Sequence, residues 1–362
     1  MLFRSSGKSA TLKANSEALV VYKLVASAGI GQAAVKVGVN AHGEKFSNVI
    51  DITVRPIAPL TKITGAGSLA GEASTAINPT YDFIPASVAS RLVVSNSPIA
   101  QFTDDITYLL QYPHGCLEQT TSKAFPLLYY SDLAKSLRQD RNTRTYNPNY
   151  LVQEAIIKIE SMQQYDGGFT YWPGGTDTDW WTSAYATHFL LEARKAGYPV
   201  NKPVLDKALT YLQRKVKTKG MEEYRFYNVN RQVQIKFIAA HENTYSLYVL
   251  GLAQKPDWAT MNYYKSKPEL LSLDARYLLA STYALSGRRE SFNQILPRSF
   301  TGESSVRALD GSFYSATRDM ALSLNGLLEA DPTNAQIGTW LSIYRRNCAR
   351  RAGTTPRNGL LP

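Results

Sequence analysis

The chain has 362 residues, is 44% hydrophobic and 11% aromatic, and carries a formal charge of +11. That is enough apolar material for a large core and more than one domain, and too much for a disordered chain. The charge would permit an acidic partner, but Lys and Arg are scattered over the whole length with no basic stripe and interleaved aromatics, so nucleic-acid binding is not expected.

No stretch reaches the roughly 20 apolar residues of a membrane span, and the start, MLFRSSGKSATLKANSEAL, has no apolar core of the signal-peptide type. Two cysteines, Cys116 and Cys348, are too few for a disulfide framework and lack metal-site spacing, so no cofactor or metal is expected.

From Ala10 to Val54 the pattern predicts β structure. LVVYKLVAS, AAVKVGVNA and FSNVIDITV are rich in Val and Ile, and Gly29, Gly31, His42 and Gly43 separate them. About four strands cannot close a sandwich, so residues 1–54 read as the C-terminal part of an all-β domain that begins within a larger protein. Residues 55–100 shift to Pro, Gly, Ser and Ala and close on the strand-like RLVVS, a linker plus part of a second β module.

After Ala100 the period becomes helical. YLVQEAIIKIESMQQ, SAYATHFLLEARKAGY, KPVLDKALTYLQRKVK, TYSLYVLGLAQ and LDARYLLASTYALSG place apolar residues at i, i+3, i+4 and i+7, with Gly or Pro ending most of them. The segments repeat: Asp166-Gly167-Gly168-Phe169 and Asp310-Gly311-Ser312-Phe313 each precede a helix rich in small residues. About eight helical segments that cannot bury their faces alone predict a stacked or closed array, and an α/α toroid over 101–344 fits better than a four-helix bundle.

The segment Tyr112-Pro113-His114-Gly115-Cys116-Leu117-Glu118-Gln119 carries the chemistry. Pro113 and Gly115 force a turn just before Cys116, and the residues after it can begin a helix. The helix dipole there favours thiolate chemistry, and Gln119, one turn on, can bring its carboxamide to the sulfur. Attack of the thiol on that carboxamide with loss of ammonia gives an internal thioester. Glu118 between them suits the first turn of a helix. Tyr112, Phe169, Trp172, Trp180 and Trp181 are candidates for a water-excluding lining, or else fill the toroid core.

GCLEQ within YPHGCLEQTTS resembles the thioester signature of the alpha-2-macroglobulin and complement superfamily, and the surrounding words, including the QQYDGGF turn and WTSAYATHF, resemble its bacterial members. The resemblance runs over nearly the whole chain. It implies a mainly α fold, with a toroidal thioester domain preceded by partial β segments: a macroglobulin-like sandwich over 1–54 and the first half of a split β module over 55–100.

It further implies a protease trap, an inhibitor and not an enzyme, whose thioester joins Cys116 to Gln119 and captures lysine amines of the attacking endopeptidase. The periplasm or cell-envelope surface is the implied location. A thioester-dependent, opsonin-like surface adhesin is the alternative.

Complement-type members that favour hydroxyl targets use a His from a later loop. His188 and His241 fall in helical repeats here and His114 precedes the turn, so each reads as structural and amines are the expected targets. A terpene-cyclase reading, which shares toroids and similar turns, fails for want of an acid cluster: TDTDWW from Thr176 has alternate spacing and no partner.

The tail, 345–362, abandons the helical pattern and crowds Arg345, Arg346, Arg350, Arg351 and Arg357. Read one base out of register, codons that fit Thr354 to Asn358 give Asn-Thr-Gln-Glu-Arg, like the NTQE segment of the family, so the tail and Cys348 read as frameshifted sequence.

Overall fold

A computed structural model describes residues 7–25, 30–55, 115–137, 147–307 and 315–341, together with short pieces between 63 and 94. Tyr112, Pro113, the Asp310 to Phe313 turn, Cys348 and the 345–362 tail lie outside the described residues. The chain divides into two compact units, one built mainly from residues 1–96 and one from 97–350.

The first unit contains an antiparallel hairpin, β1 (Gly31–Ala41) and β2 (Glu44–Val54), paired from Gly31 with Val54 to Ala41 with Glu44. His42 and Gly43 turn it with positive φ at both positions, the twist that a tight hairpin turn requires. The Val/Ile-rich stretch from Leu19 to Val25 is not a strand, although its pattern predicts one; Leu19, Val21 and Val25 stand in solvent. Alternation alone does not hold a strand that has no neighbour to complete its hydrogen bonds.

The second unit is mainly helical. In chain order it comprises α1 (Leu117–Leu137), α2 (Pro148–Ser161), β3 (Phe169–Thr170), β4 (Thr178–Asp179), α3 (Trp180–Lys195) and α4 (Lys202–Val216). Then follow β5 (Met221–Tyr227), β6 (Val233–Ala239), α5 (His241–Leu252), α6 (Trp258–Ser266), α7 (Leu273–Leu285), α8 (Arg289–Ile295), β7 (Ser304–Ser305) and α9 (Ala316–Ala330).

Two kinds of helix alternate. Helices α3, α5 and α7 are buried nearly all round, with Ser and Thr among the buried side chains of each. By contrast α4 buries one stripe, Leu205, Ala208, Leu209, Tyr211, Leu212 and Val216, and exposes the rest to water. Packing follows this division: α1 meets α3, α3 meets α5, α5 meets α7 and α7 meets α9, while α2, α4 and α8 pack on the outside of this row.

Small residues on the inner helices let their axes approach. In α5 an added methyl group at Gly251 would lie 2.8 Å from Thr282 of α7. One apolar core runs through the unit from Leu117 to Trp340.

The sheet β6-β5-β7 is antiparallel and was not expected from the helical periodicity around it. It turns Tyr224, Phe226 and Ile238 inward and leaves Val233, Ile235 and Phe237 exposed.

Candidate functional site

Cys116 caps α1. Its carbonyl accepts the first helical hydrogen bond from Thr120 N at 2.9 Å, and its sulfur accepts from the Gln119 backbone N–H at 3.4 Å. The side chain thus takes the N-cap role that Ser or Asp usually fills, meeting a donor the first turn leaves unpaired. Cys116 is wholly buried (0% exposed) and unbridged.

Gln119 is half-buried. Its side-chain Oε1 is buried and has no hydrogen-bond partner among the described residues. An orphaned buried carbonyl costs of the order of 1–3 kcal/mol, so it is an unusual acceptor to leave one turn from a thiol.

Glu118, in the first turn of α1, accepts a hydrogen bond from Ser122 Oγ at 2.7 Å, and Ser122 Oγ lies 3.3 Å from Tyr185 OH. Burial, with a smaller contribution from Glu118, pushes the Tyr185 phenol up to about 12. Gly115 lies against Lys158: a Cβ there would come within 2.6 Å of Nζ. Burial and then the charge of Lys158 lower the Lys123 ammonium, so two cations flank this end of α1.

The Asp166 turn brings the opposite wall. Asp166 accepts from Gly168 N at 3.0 Å and from Thr178 Oγ1 at 3.2 Å, tying β3 to β4. Gly167 has φ of 91° and Gly168 packs against the Tyr211 ring, so both glycines are needed for the backbone to pass here. Directly after β3, the Tyr171 carbonyl accepts from Leu117 N at 2.9 Å. The Tyr171 phenol is pushed up to about 12 by burial, then by the proximity of Cys116 and Glu118.

The aromatic candidates separate. Phe169 is buried and its N–H donates to Ser183 Oγ at 2.8 Å, a core position. Trp172 is 55% exposed and sets its ring edge against Tyr171.

Trp180 donates from Nε1 to Ser246 Oγ at 3.0 Å, beneath the Lys215 ammonium. Trp181 stacks on Tyr185 and lies 4.9 Å from the Tyr245 ring. Trp181 therefore reaches the Cys116 end of α1 through Tyr185 and Ser122, and Trp172 through Tyr171. Tyr171 and Tyr185 were not singled out in the sequence, because neither belongs to the pentapeptide; the only signal was the place of Tyr171 directly after the Asp-Gly-Gly-Phe turn.

Both helical histidines are committed to the fold. His188 Nδ1 lies 2.9 Å from Tyr245 OH, and burial pulls its imidazole down to about 3, so it is neutral. His241 starts α5, with Nδ1 3.3 Å from Glu222 and Nε2 3.1 Å from Asp274. Burial alone would lower it, but Asp274 and Glu222 outweigh burial and raise it to about 10.

His241, Asp274 and Asp319 place one ligand atom each within 4.8 Å of one another, a spacing that could hold a metal ion. The set is also balanced without one. His241 pairs with Asp274, and Asp319 accepts from Ser305 and lies 3.4 Å from Arg318. These three residues brace α5, α7 and α9.

No helix among the described residues is long and apolar enough to cross a membrane. A family model for the A-macroglobulin TED domain matches residues 88–254. An alpha-2-macroglobulin from Xylella fastidiosa (strain Temecula1) is 28% identical over 330 residues, covering 90% of this chain and 20% of the relative. An alpha-2-macroglobulin from Escherichia coli (strain K12) is 29% identical over 172 residues, covering 47% of this chain and 10% of the relative.

Among solved structures, native E. coli alpha-2-macroglobulin from domain MG7 to the C-terminus superposes with a TM-score of 0.57 at 22% identity, covering 90% of this chain and 52% of that one. Salmonella alpha-2-macroglobulin reacted with methylamine gives 0.57 at 23% identity, covering 88% and 21%. The chain spans about a fifth of the length of the Xylella relative. The chain thus matches the A-macroglobulin TED domain over residues 88–254, which include α1, and is similar over most of its length to bacterial alpha-2-macroglobulins.

Proposed function

We propose that Cys116 and Gln119 form an internal thioester and that this bond is the covalent warhead of a broad-spectrum endopeptidase inhibitor. The thiol sulfur adds to Gln119 Cδ, and the carboxamide nitrogen leaves as ammonia with the thiol proton. A lysine amine of the attacking protease then forms a bond to Cδ as the Cδ–Sγ bond breaks, freeing the Cys116 thiol. The bond is consumed once, so the protein inhibits and does not turn over.

One observation carries this reading: in the first turn of α1, the buried Cys116 sulfur sits on the Gln119 backbone N–H while Gln119 Oε1 lies buried and unpartnered among the described residues. That arrangement holds nucleophile and carbonyl on one turn and away from bulk water, as an electrophile that must survive hydrolysis requires. The Salmonella relative solved after reaction with methylamine supports amines as the class of attacker.

The same reading takes α1, α3, α5, α7 and α9 as the inner row of an α/α toroid over 101–344. It takes β1 and β2 as part of a macroglobulin-like β domain within 1–54, with 55–100 as the first half of a split β module. A periplasmic or cell-envelope location follows from the family.

The test is the intact mass of the full-length parent. It is expected to be one ammonia lighter than the encoded chain and to take up one methylamine, with the label on Gln119. A mass equal to the encoded chain with a freely titrating Cys116 thiol would sink the proposal. Adducts recovered on surface sugars after protease challenge, with none on protease lysines, would favour the adhesin instead.

A further inference from the structure

We infer that Lys123 is an internal amine placed to open the proposed thioester, closing an amide between its own Nζ and Gln119 Cδ when no protease arrives. This rests on the thioester reading above and adds a second modified residue to it.

Helix geometry sets the pair. Gln119 and Lys123 lie four residues apart in α1, a spacing that leaves their Cβ atoms about 5–6 Å apart on one face. A helical side chain leans towards the N-terminus and covers the turn before its own Cα, so Lys123 extends back over the turn of Gln119. The neighbouring pair at the same spacing does meet: Ser122 Oγ donates to Glu118 at 2.7 Å. Gln119 and Lys123 are both half-buried, next to the buried Thr120 and Ala124.

An amine attacks only when it is neutral. Burial lowers the Lys123 ammonium and the charge of Lys158 lowers it further, so Lys123 offers more neutral amine than an exposed lysine does. Lys158 stands at the other side of the pair, where a Cβ on Gly115 would come within 2.6 Å of its Nζ. An amine tethered one turn from its target also acts at an effective concentration that no free amine reaches.

In the step, the Lys123 Nζ lone pair bonds to Gln119 Cδ, and the Cδ–Sγ bond breaks with its electron pair on sulfur. The proton lost by nitrogen goes to the sulfur or to solvent, leaving a secondary amide and the Cys116 thiol. The product keeps the one-ammonia deficit of the thioester but no longer takes up methylamine. Hydrolysis differs, because it adds a water and leaves a carboxylate at 119.

The test holds the full-length parent without protease or added amine until methylamine uptake ceases. The spent protein is expected to keep its one-ammonia deficit, to titrate the Cys116 thiol, and to yield a peptide in which Gln119 is joined to Lys123. A spent protein that carries Glu at 119 with Lys123 unmodified would overturn the inference, and so would a retained deficit with the link on any other amine. Lys123→Arg keeps the charge and removes the nucleophile; its methylamine-reactive fraction is expected to last about threefold longer or more, and an unchanged half-life would count against Lys123. The peptide map is made on the wild type, so it decides the matter even where the Arg variant does not fold. A freshly made wild-type parent with no mass deficit is a different failure, that of the thioester itself.

Discussion

Gly115 and Gly167 both precede the turns that build the site, but a methyl group meets different obstacles at each. At Gly167 the backbone has φ of 91° and a Cβ would lie 2.4 Å from the Lys207 carbonyl oxygen, so neither the dihedral nor the neighbour can yield. At Gly115 the nearest atom is Lys158 Nζ, the end of a flexible chain.

Gly167→Ala is therefore expected to cost about 1–3 kcal/mol, and Gly115→Ala well under 1 kcal/mol. Thermal unfolding of the two variants checks the order, and equal melting temperatures would contradict it. At this scale the sequence displayed the Cys116–Gln119 spacing and the Asp-Gly-Gly turn, since both are local. Tyr171 was hidden because only the β3 and β4 turn brings it to Leu117.

Among the elements, α4 was the easiest to read, its single apolar stripe being what periodicity detects. The inner helices α5 and α7 are buried almost all round, so their apolar residues mark length more than a face. The β5 and β6 strands escaped notice because their outward face is also apolar, with Val233, Ile235 and Phe237 exposed, and because the polar residues between them blur the alternation.

His241 joins this sheet to the helices through Glu222 of β5 and Asp274 of α7. Its imidazole is raised from 6.5 to about 10 in the folded protein, so above pH 6.5 the folded state holds a proton that the unfolded chain releases. The stabilisation from this group is complete below pH 6.5 and is lost as the pH rises towards 10. Asp319 acts in a lower window: burial and then the charge of Asp274 raise it from 3.8 to about 6, so its contribution falls between those values and is flat above. Denaturant unfolding across pH 6.5 to 10 is expected to show declining stability in the wild type and a shallower decline in His241→Gln; parallel curves would exclude the pairing.

For the molecule as a whole, the question is what keeps water from the proposed bond. The described residues bury the Cys116 sulfur completely and Gln119 Oε1 with it, but Gln119 as a whole residue is only half-buried. A thioester beside a half-buried residue hydrolyses unless the remaining opening is shielded. This chain spans about a fifth of its Xylella relative, and the shield is expected from the rest of the parent.

The helical unit, residues 97–350, is therefore expected to lose its methylamine-reactive fraction at least about tenfold faster than the full-length protein, a difference of only about 1.4 kcal/mol in barrier. Time-resolved methylamine labelling of both proteins measures it. Equal half-lives would mean that the cover is built inside the helical unit, and would move the search for the trigger from the neighbouring domains to the aromatic wall of Tyr171, Tyr185 and Trp181.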